Sequence, residues 1–281
     1  MPIEEIKRRM EEIFQGLNSG QLTFPRTRQM VGHSAGIFVR DRIKEILVKN
    51  LNVLEPEEFL AQRLLPYRAR LLKAANKSAY INSLFAELGK QWWWKLCSRG
   101  KRKVRAYLEN DAPLGYKQED TPDLVINGEA IVYVNIKSHN IAKTSRHPNI
   151  MSAKKILDLF DWIATQPDQH RKPILENVQI LFIGVSWYEQ EDQIIFEEIE
   201  IRDFFCLDLS QIPTINFDAA IQIQWHVADM VELDPPPPRL DFVREFVETL
   251  NQQWKLFIHR RNESYVDKTR NIIAWVEQEN R

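Results

Sequence analysis

Thr121-Pro122-Asp123-Leu124-Val125-Ile126-Asn127-Gly128, followed by Ile131-Val132-Tyr133-Val134-Asn135-Ile136-Lys137, is the stretch that decides the fold. Leu124 to Ile126 is a short apolar run with a proline shortly before it. Asn127-Gly128 behind it is a strong two-residue hairpin signal. Ile131 to Lys137 then reads as the returning strand. Side chains alternate faces along a strand, so Val132, Val134 and Ile136 share the core face, and Tyr133, Asn135 and Lys137 share the other. The hairpin brings Asp123 towards the second group. A carboxylate, a metal-capable amide and a lysine therefore converge at one end of a hairpin.

Phosphodiester hydrolysis asks for such a set. Oxygen ligands must hold a divalent ion that neutralises charge on phosphorus and acidifies a water. A nearby lysine can orient that water or stabilise developing charge. Taken alone, the spacing is a weak signal, because acids and lysines at strand ends are more often solvated surface groups.

Upstream of the hairpin the chain reads helical. Apolar residues recur at helical spacing over 3–17, and over 35–51 through Phe38, Val39, Ile43, Ile46, Leu47 and Leu51. Pro56-Glu57-Glu58 has the character of a helix first turn, where acids meet the positive end of the dipole. A further helix is expected over 78–97, ending near Ser98-Arg99-Gly100.

Downstream, residues 138–149 read as a polar loop. A helix follows, with Ile156, Leu157, Phe160 and Ile163 on one side. Strands are expected over 177–187 and 193–201, with another possible over 219–227. Asp234 and the four prolines Pro235–Pro238 make a stiff break before one or two long helices over 239–278. The order implies an α/β or α+β single domain over 1–281: a helical part (1–110), a sheet core (111–233) and C-terminal helices (239–281).

The chain has 281 residues, 44% hydrophobic and 27% charged, an ordinary globular composition. No apolar run approaches the roughly 20 residues that span a bilayer. Its start alternates charge with Ile3, Ile6, Met10, Ile13 and Phe14, unlike a signal peptide. Cys97 and Cys206 are far apart and outside any CxxC pair, which argues against a zinc site or a disulfide framework. A cytoplasmic protein is expected.

The net charge of −1 does not by itself favour a polyanion. The distribution is more informative. Residues 88–108 and 138–155 carry several lysines and arginines and no acidic residue. Local basic surfaces of this kind can face nucleic acid, although charge runs are more commonly solvated faces.

Separated segments carry a likeness to a known family. They are Gly32-His33-Ser34-Ala35-Gly36, Ser98-Arg99-Gly100-Lys101, Asp120-Thr121-Pro122-Asp123 with Ile136-Lys137, Asn140-Ile141-Ala142-Lys143, Pro148-Asn149-Ile150-Met151-Ser152-Ala153, and Ala219-Ala220-Ile221-Gln222-Ile223-Gln224-Trp225-His226-Val227. In this order and spacing the chain resembles the HincII/HindII type of restriction endonuclease over most of its length. The resemblance implies an α/β restriction-endonuclease-like fold of the PD-(D/E)xK class, a mixed β-sheet core flanked by helices. It implies a homodimer that cuts short, near-palindromic double-stranded DNA with Mg²⁺, tending towards blunt ends. A partner DNA methyltransferase would protect host DNA. Asp123 matches the first metal-binding aspartate and Lys137 the catalytic lysine, with the Ile136 carbonyl towards the metal.

Asn135 departs from the family, which has an aspartate there. Either the amide oxygen is a tolerated neutral ligand, helped by a carboxylate such as Asp41 or Glu45, or the chain binds DNA and cuts poorly. A repair nuclease sharing only the fold is a third alternative.

For DNA contacts, Asn149 matches a base-contacting position, although an asparagine there could instead cap a helix starting near Ile150. Arg146 stands where the family has a glutamine that pushes between base pairs. Arg99, Lys101, Lys143 and Lys154 are candidate phosphate contacts, with Lys155 beside the last. Asn216, Gln222 and Gln224 are candidate polar contacts, the two glutamines sharing a strand face. Trp92-Trp93-Trp94 is expected to be mainly buried rather than a stacking platform. Among the histidines, only His139 lies close enough to the expected site to warrant notice.

Overall fold

The strand that ends in Lys137 lies at the centre of the main sheet. In a computed structural model, the structure describes residues 3–15, 23–25, 33–115, 122–128, 131–142, 147–191, 193–218 and 221–279. In chain order the elements are α1 (Ile3–Gln15), β1 (Thr23–Pro25), α2 (His33–Asn50), β2 (Val53–Leu54), α3 (Pro56–Lys73), α4 (Lys77–Leu88), α5 (Trp92–Cys97) and α6 (Lys101–Asn110). Then come β3 (Leu124–Asn127), β4 (Ile131–Asn140), β5 (Asn149–Ser152), α7 (Ala153–Ala164), α8 (Asp168–Asn177), β6 (Gln179–Gln190) and β7 (Gln193–Asp203). The chain closes with β8 (Thr214–Asn216), β9 (Gln222–Gln224) and α9 (Arg239–Glu279).

The main sheet has the order β1-β7-β6-β4-β3-β2. β4 pairs with β3 antiparallel and with β6 parallel. A parallel neighbour requires a crossover, and β5, α7 and α8 supply it. β6 is apolar along most of its length because both of its faces are covered. One sheet face carries Leu124, Val132, Val134, Ile136, Leu181 and Ile183, packed under α1 and α2. The other carries Val125, Tyr133, Ile180 and Phe182, packed against residues of α3, α5, α7 and α9. The Tyr133 hydroxyl donates to the Trp93 carbonyl at 2.8 Å, which ties α5 to the middle of β4. Trp93 and Trp94 are buried, as their position on α5 implies. A small second sheet, β5-β9-β8, lies beside α7.

Two close approaches set the spacing around β4. A Cβ on Gly36 would stand 3.0 Å from Ser138 Oγ, and that hydroxyl donates to the Gly36 carbonyl at 3.0 Å. α2 is thereby docked against the end of β4. A Cβ on Gly184 of β6 would meet Val227 Cβ at 2.6 Å, so only glycine lets the segment after β9 press onto the sheet.

Several sequence expectations are corrected here. Asn127 pairs with Ile131, so three residues, 128–130, link β3 to β4 instead of a two-residue turn. β4 does not end at Lys137, and 138–149 is not all loop: the strand runs on to Asn140, held in register by β6 as far as Trp187. Asn149 does not cap a helix at Ile150. It opens β5, and α7 starts at Ala153 with Ser152 Oγ accepting from the Lys155 N–H at 3.4 Å. The helix expected over 78–97 is two helices, broken at Gly89–Gln91. α8 was not anticipated, and the strand expected over 219–227 is confined to Gln222–Gln224 among the described residues. The C-terminal segment, expected as one or two helices, is a single one.

Candidate active site

The β3–β4 pair ends at the site. Leu124 faces Val134, the last residue pair of the ladder. One step further, the Asp123 N–H donates to the Val134 carbonyl at 2.8 Å, and Asp123 Oδ2 accepts from the Ile136 N–H at 2.8 Å. The aspartate thus bridges residues 134 and 136 and stands beside Asn135. Its other oxygen, Oδ1, lies 3.8 Å from Nη1 of Arg40, delivered by α2 one turn beyond Gly36. Asn135 is 2% exposed, and its Nδ2 has no hydrogen-bond partner. Lys137, half-buried, lines a small cleft with Ser138, His139, Pro148, Ser186 and His226.

Asp123, Asn135, Ile136 and Lys137 are therefore together at one sheet end. The suggested helper carboxylates are held by arginines: Asp41 Oδ1 lies 3.6 Å from Nε of Arg40, the residue whose Nη1 approaches Asp123, and Glu45 pairs with Arg42 at 2.6 Å. Among the described residues no group of three or more histidine, cysteine, aspartate or glutamate side chains converges on a metal position. Sequence reasoning missed Arg40. Nothing in its local pattern separates it from the other basic residues of α2, and only the docking of Gly36 on Ser138 brings it to Asp123.

The remaining positions fall on the second sheet, on α7 and around the start of α6. Asn149 Oδ1 accepts from Gln224 Nε2 at 2.9 Å, and the two residues are register partners. Gln222 pairs in register with Ser152 and Asn216. Asn216 Oδ1 accepts from the Asp218 N–H at 3.0 Å. Lys154 is exposed and pairs with Asp158 at 2.6 Å. At the start of α6, Lys101 Nζ donates to Asn82 at 2.9 Å and stays exposed. Arg99 does not form part of an exposed wall: it is 4% exposed and donates to the carbonyls of Cys97 and Gly115, both at 3.1 Å. Lys143 and Arg146 lie outside the described residues.

Comparison with known proteins decides the family. The model of the restriction endonuclease HincII family matches residues 17–269. The chain belongs to the HincII restriction endonuclease family. Two relatives are the type II restriction enzymes HindII, from Haemophilus influenzae strain Rd, and HincII, from Haemophilus influenzae. HindII is 26% identical over 240 residues, covering 79% of this chain and 82% of that enzyme. HincII is 25% identical over 245 residues, with 79% and 82% covered. Membership of the HincII family fixes the restriction-endonuclease fold and supports a type II restriction endonuclease activity. Among the described residues no helix is long and apolar enough to cross a membrane.

Proposed function

We propose that the chain is a type II restriction endonuclease that hydrolyses phosphodiester bonds within a short, near-palindromic double-stranded DNA site. The observation that carries the reading is the bridge made by Asp123 across Val134 and Ile136, which gathers Asp123, Asn135 and Lys137 at one sheet end. The reading extends to a single restriction-endonuclease-like domain acting as a homodimer, since each site cuts one strand of a two-fold symmetric target. It also includes a cytoplasmic location and a partner methyltransferase.

The residues suit Mg²⁺. Asp123 brings one carboxylate and Ile136 a backbone carbonyl. Asn135 has a buried amide whose nitrogen is unpartnered. A half-turn of that amide breaks no hydrogen bond of the nitrogen and presents the carbonyl oxygen instead. Oxygen donors of this kind match a hard divalent cation. When bound, the ion supplies charge neutralisation at the phosphate. Lys137 orients the attacking water from the cleft and stabilises charge developing on the phosphate oxygens. Arg40 holds Asp123 from the other side. Asn149, Gln222 and Gln224 face base edges, and Lys101, Lys154, Asn216, Lys143 and Arg146 contribute sugar-phosphate or groove contacts.

Incubating plasmid DNA with the protein and Mg²⁺ tests this. Discrete fragments, lost on chelation, support it; structure-dependent nicking or no cutting refutes it. The neutral Asn135 and the Arg40 guanidinium beside Asp123 favour one second reading, a homologue that binds DNA and cuts poorly. Specific retention of DNA without fragments would identify it.

A further inference from the structure

Three histidines join the two sheets. Asn149 and Gln224 are register partners on β5 and β9. Two residues outward along the same segments, beyond the strand ends, stand His147 and His226. Their rings lie 4.9 Å apart. His139 comes from β4, two residues beyond Lys137 on the same strand face, and its ring lies 4.0 Å from that of His226 at a 34° tilt. The ring stack therefore reaches from the segments that carry Asn149 and Gln224 to His139 on β4, and His139 and His226 line the same cleft as Lys137.

The stack is held firmly. His226 is 7% exposed. The residue after it, Val227, is pressed against Gly184 of β6. The Trp225 N–H donates to the Pro148 carbonyl at 3.1 Å, fixing the segment that carries His147. Nδ1 of His147 and Nδ1 of His226 have no hydrogen-bond partner, so the rings are held by stacking rather than by polar contacts at these atoms. Tilted or offset stacking suits neutral rings. Burial lowers the pKa of His139 and of His226, and the neighbouring histidines lower them further, while Asp229 on the following turn pulls the other way.

Resting on the nuclease reading above, we infer that this imidazole stack is a positioning device through which engagement of the Asn149–Gln224 amides by a base pair sets the placement of Lys137. His226, between the other two rings, is its central positioning residue. Cleavage rate, and not only binding, then depends on the base pair those amides face.

The test compares the wild-type enzyme with H226A and H226F on the preferred site and on sites differing by one base pair. For H226A the inference expects kcat on the preferred site to fall with KM little changed. It expects the ratio of kcat/KM between preferred and altered sites to shrink about tenfold, the size of an ordinary coupling. H226F keeps a flat ring and is expected to hold that ratio near wild type, while the acid limb of its pH–rate profile moves to lower pH. Circular dichroism establishes folding. Should H226A not fold, H226F decides: an altered ratio or an unmoved acid limb overturns the inference. Equal losses on all sites by folded H226A also overturn it, since that is what simple packing predicts. Wild-type enzyme that yields no discrete fragments overturns the nuclease reading, and this inference with it. Discrete wild-type fragments with an unchanged ratio in H226A overturn the inference alone.

Discussion

Asn135→Asp tests the charge balance of the site. The new carboxylate would occupy a position 2% exposed, flanked by the two residues that Asp123 bridges. Groups placed side by side at a strand end are roughly 5 Å apart. At an effective dielectric of about 20, two such charges repel by about 3 kcal/mol. The Arg40 guanidinium, 3.8 Å from Asp123, offsets part of this, and desolvation of the buried carboxylate adds to it. A net loss of about 2 kcal/mol without metal follows, equivalent to a fall in Tm of about 5 °C for a chain of this size. Mg²⁺ reverses the sign. The variant site has one more negative charge for a cation, and ligand binding to the folded state raises stability with ligand concentration. Thermal melts of N135D and wild type, each without and with millimolar Mg²⁺, give the answer. N135D should melt lower without metal and gain more from Mg²⁺ than wild type. A variant as stable as wild type without metal, or one with the same Mg²⁺ response, refutes this account of the site.

Three further outcomes are expected. Lys137→Ala should reduce cleavage by about a hundredfold or more while gel-shift affinity changes only slightly, because a group aimed at developing charge acts mainly in the transition state. Gly184→Ala should lower Tm by several degrees, since its Cβ would meet Val227 Cβ at 2.6 Å and overpacking of that kind costs about 1–3 kcal/mol. His139 and His226 have folded-state pKa values below their ordinary 6.5. The unfolded chain therefore binds more protons just below pH 6.5, and stability should fall as pH drops from that value towards the folded-state values. Denaturant melts across this range check the slope, which should be shallower in H226F; a stability that rises on acidification would contradict the burial of these rings.

What the sequence revealed depends on how local the deciding forces are. Alternation placed Val132, Val134 and Ile136 on the core face and Asn135 and Lys137 on the other, because that pattern answers to burial alone. The Asn127-Gly128 turn was misjudged because register is set by pairing along the whole ladder, and Asn127 itself pairs with Ile131. β4 continues through Ser138, His139 and Asn140 despite their polarity, because β6 offers a matched parallel edge that only tertiary structure supplies. β5 is four residues long and flanked by a helix, too short for alternation to mark. α8 is polar and contains Pro173, so neither composition nor periodicity announces it.

The failures at the far end of β4, beside the proposed reaction site, share a physical reason. Strand pattern is readable where apolar residues dictate which face is buried. At the end of β4 Asn135 and, from the neighbouring segment, His226 are buried, with the half-buried His139 stacked on His226, and a polar residue in a packed position looks from sequence like a loop. The same substitution of chemistry for packing explains why Arg40 was not anticipated: its importance lies in a 3.8 Å approach to Asp123 that exists only because Gly36 lets α2 close on Ser138. Where the chain departs from the simple burial code, it brings an amide, imidazoles and a guanidinium to one sheet end, and that concentration of polar groups is what the proposed reaction on a phosphodiester would draw on.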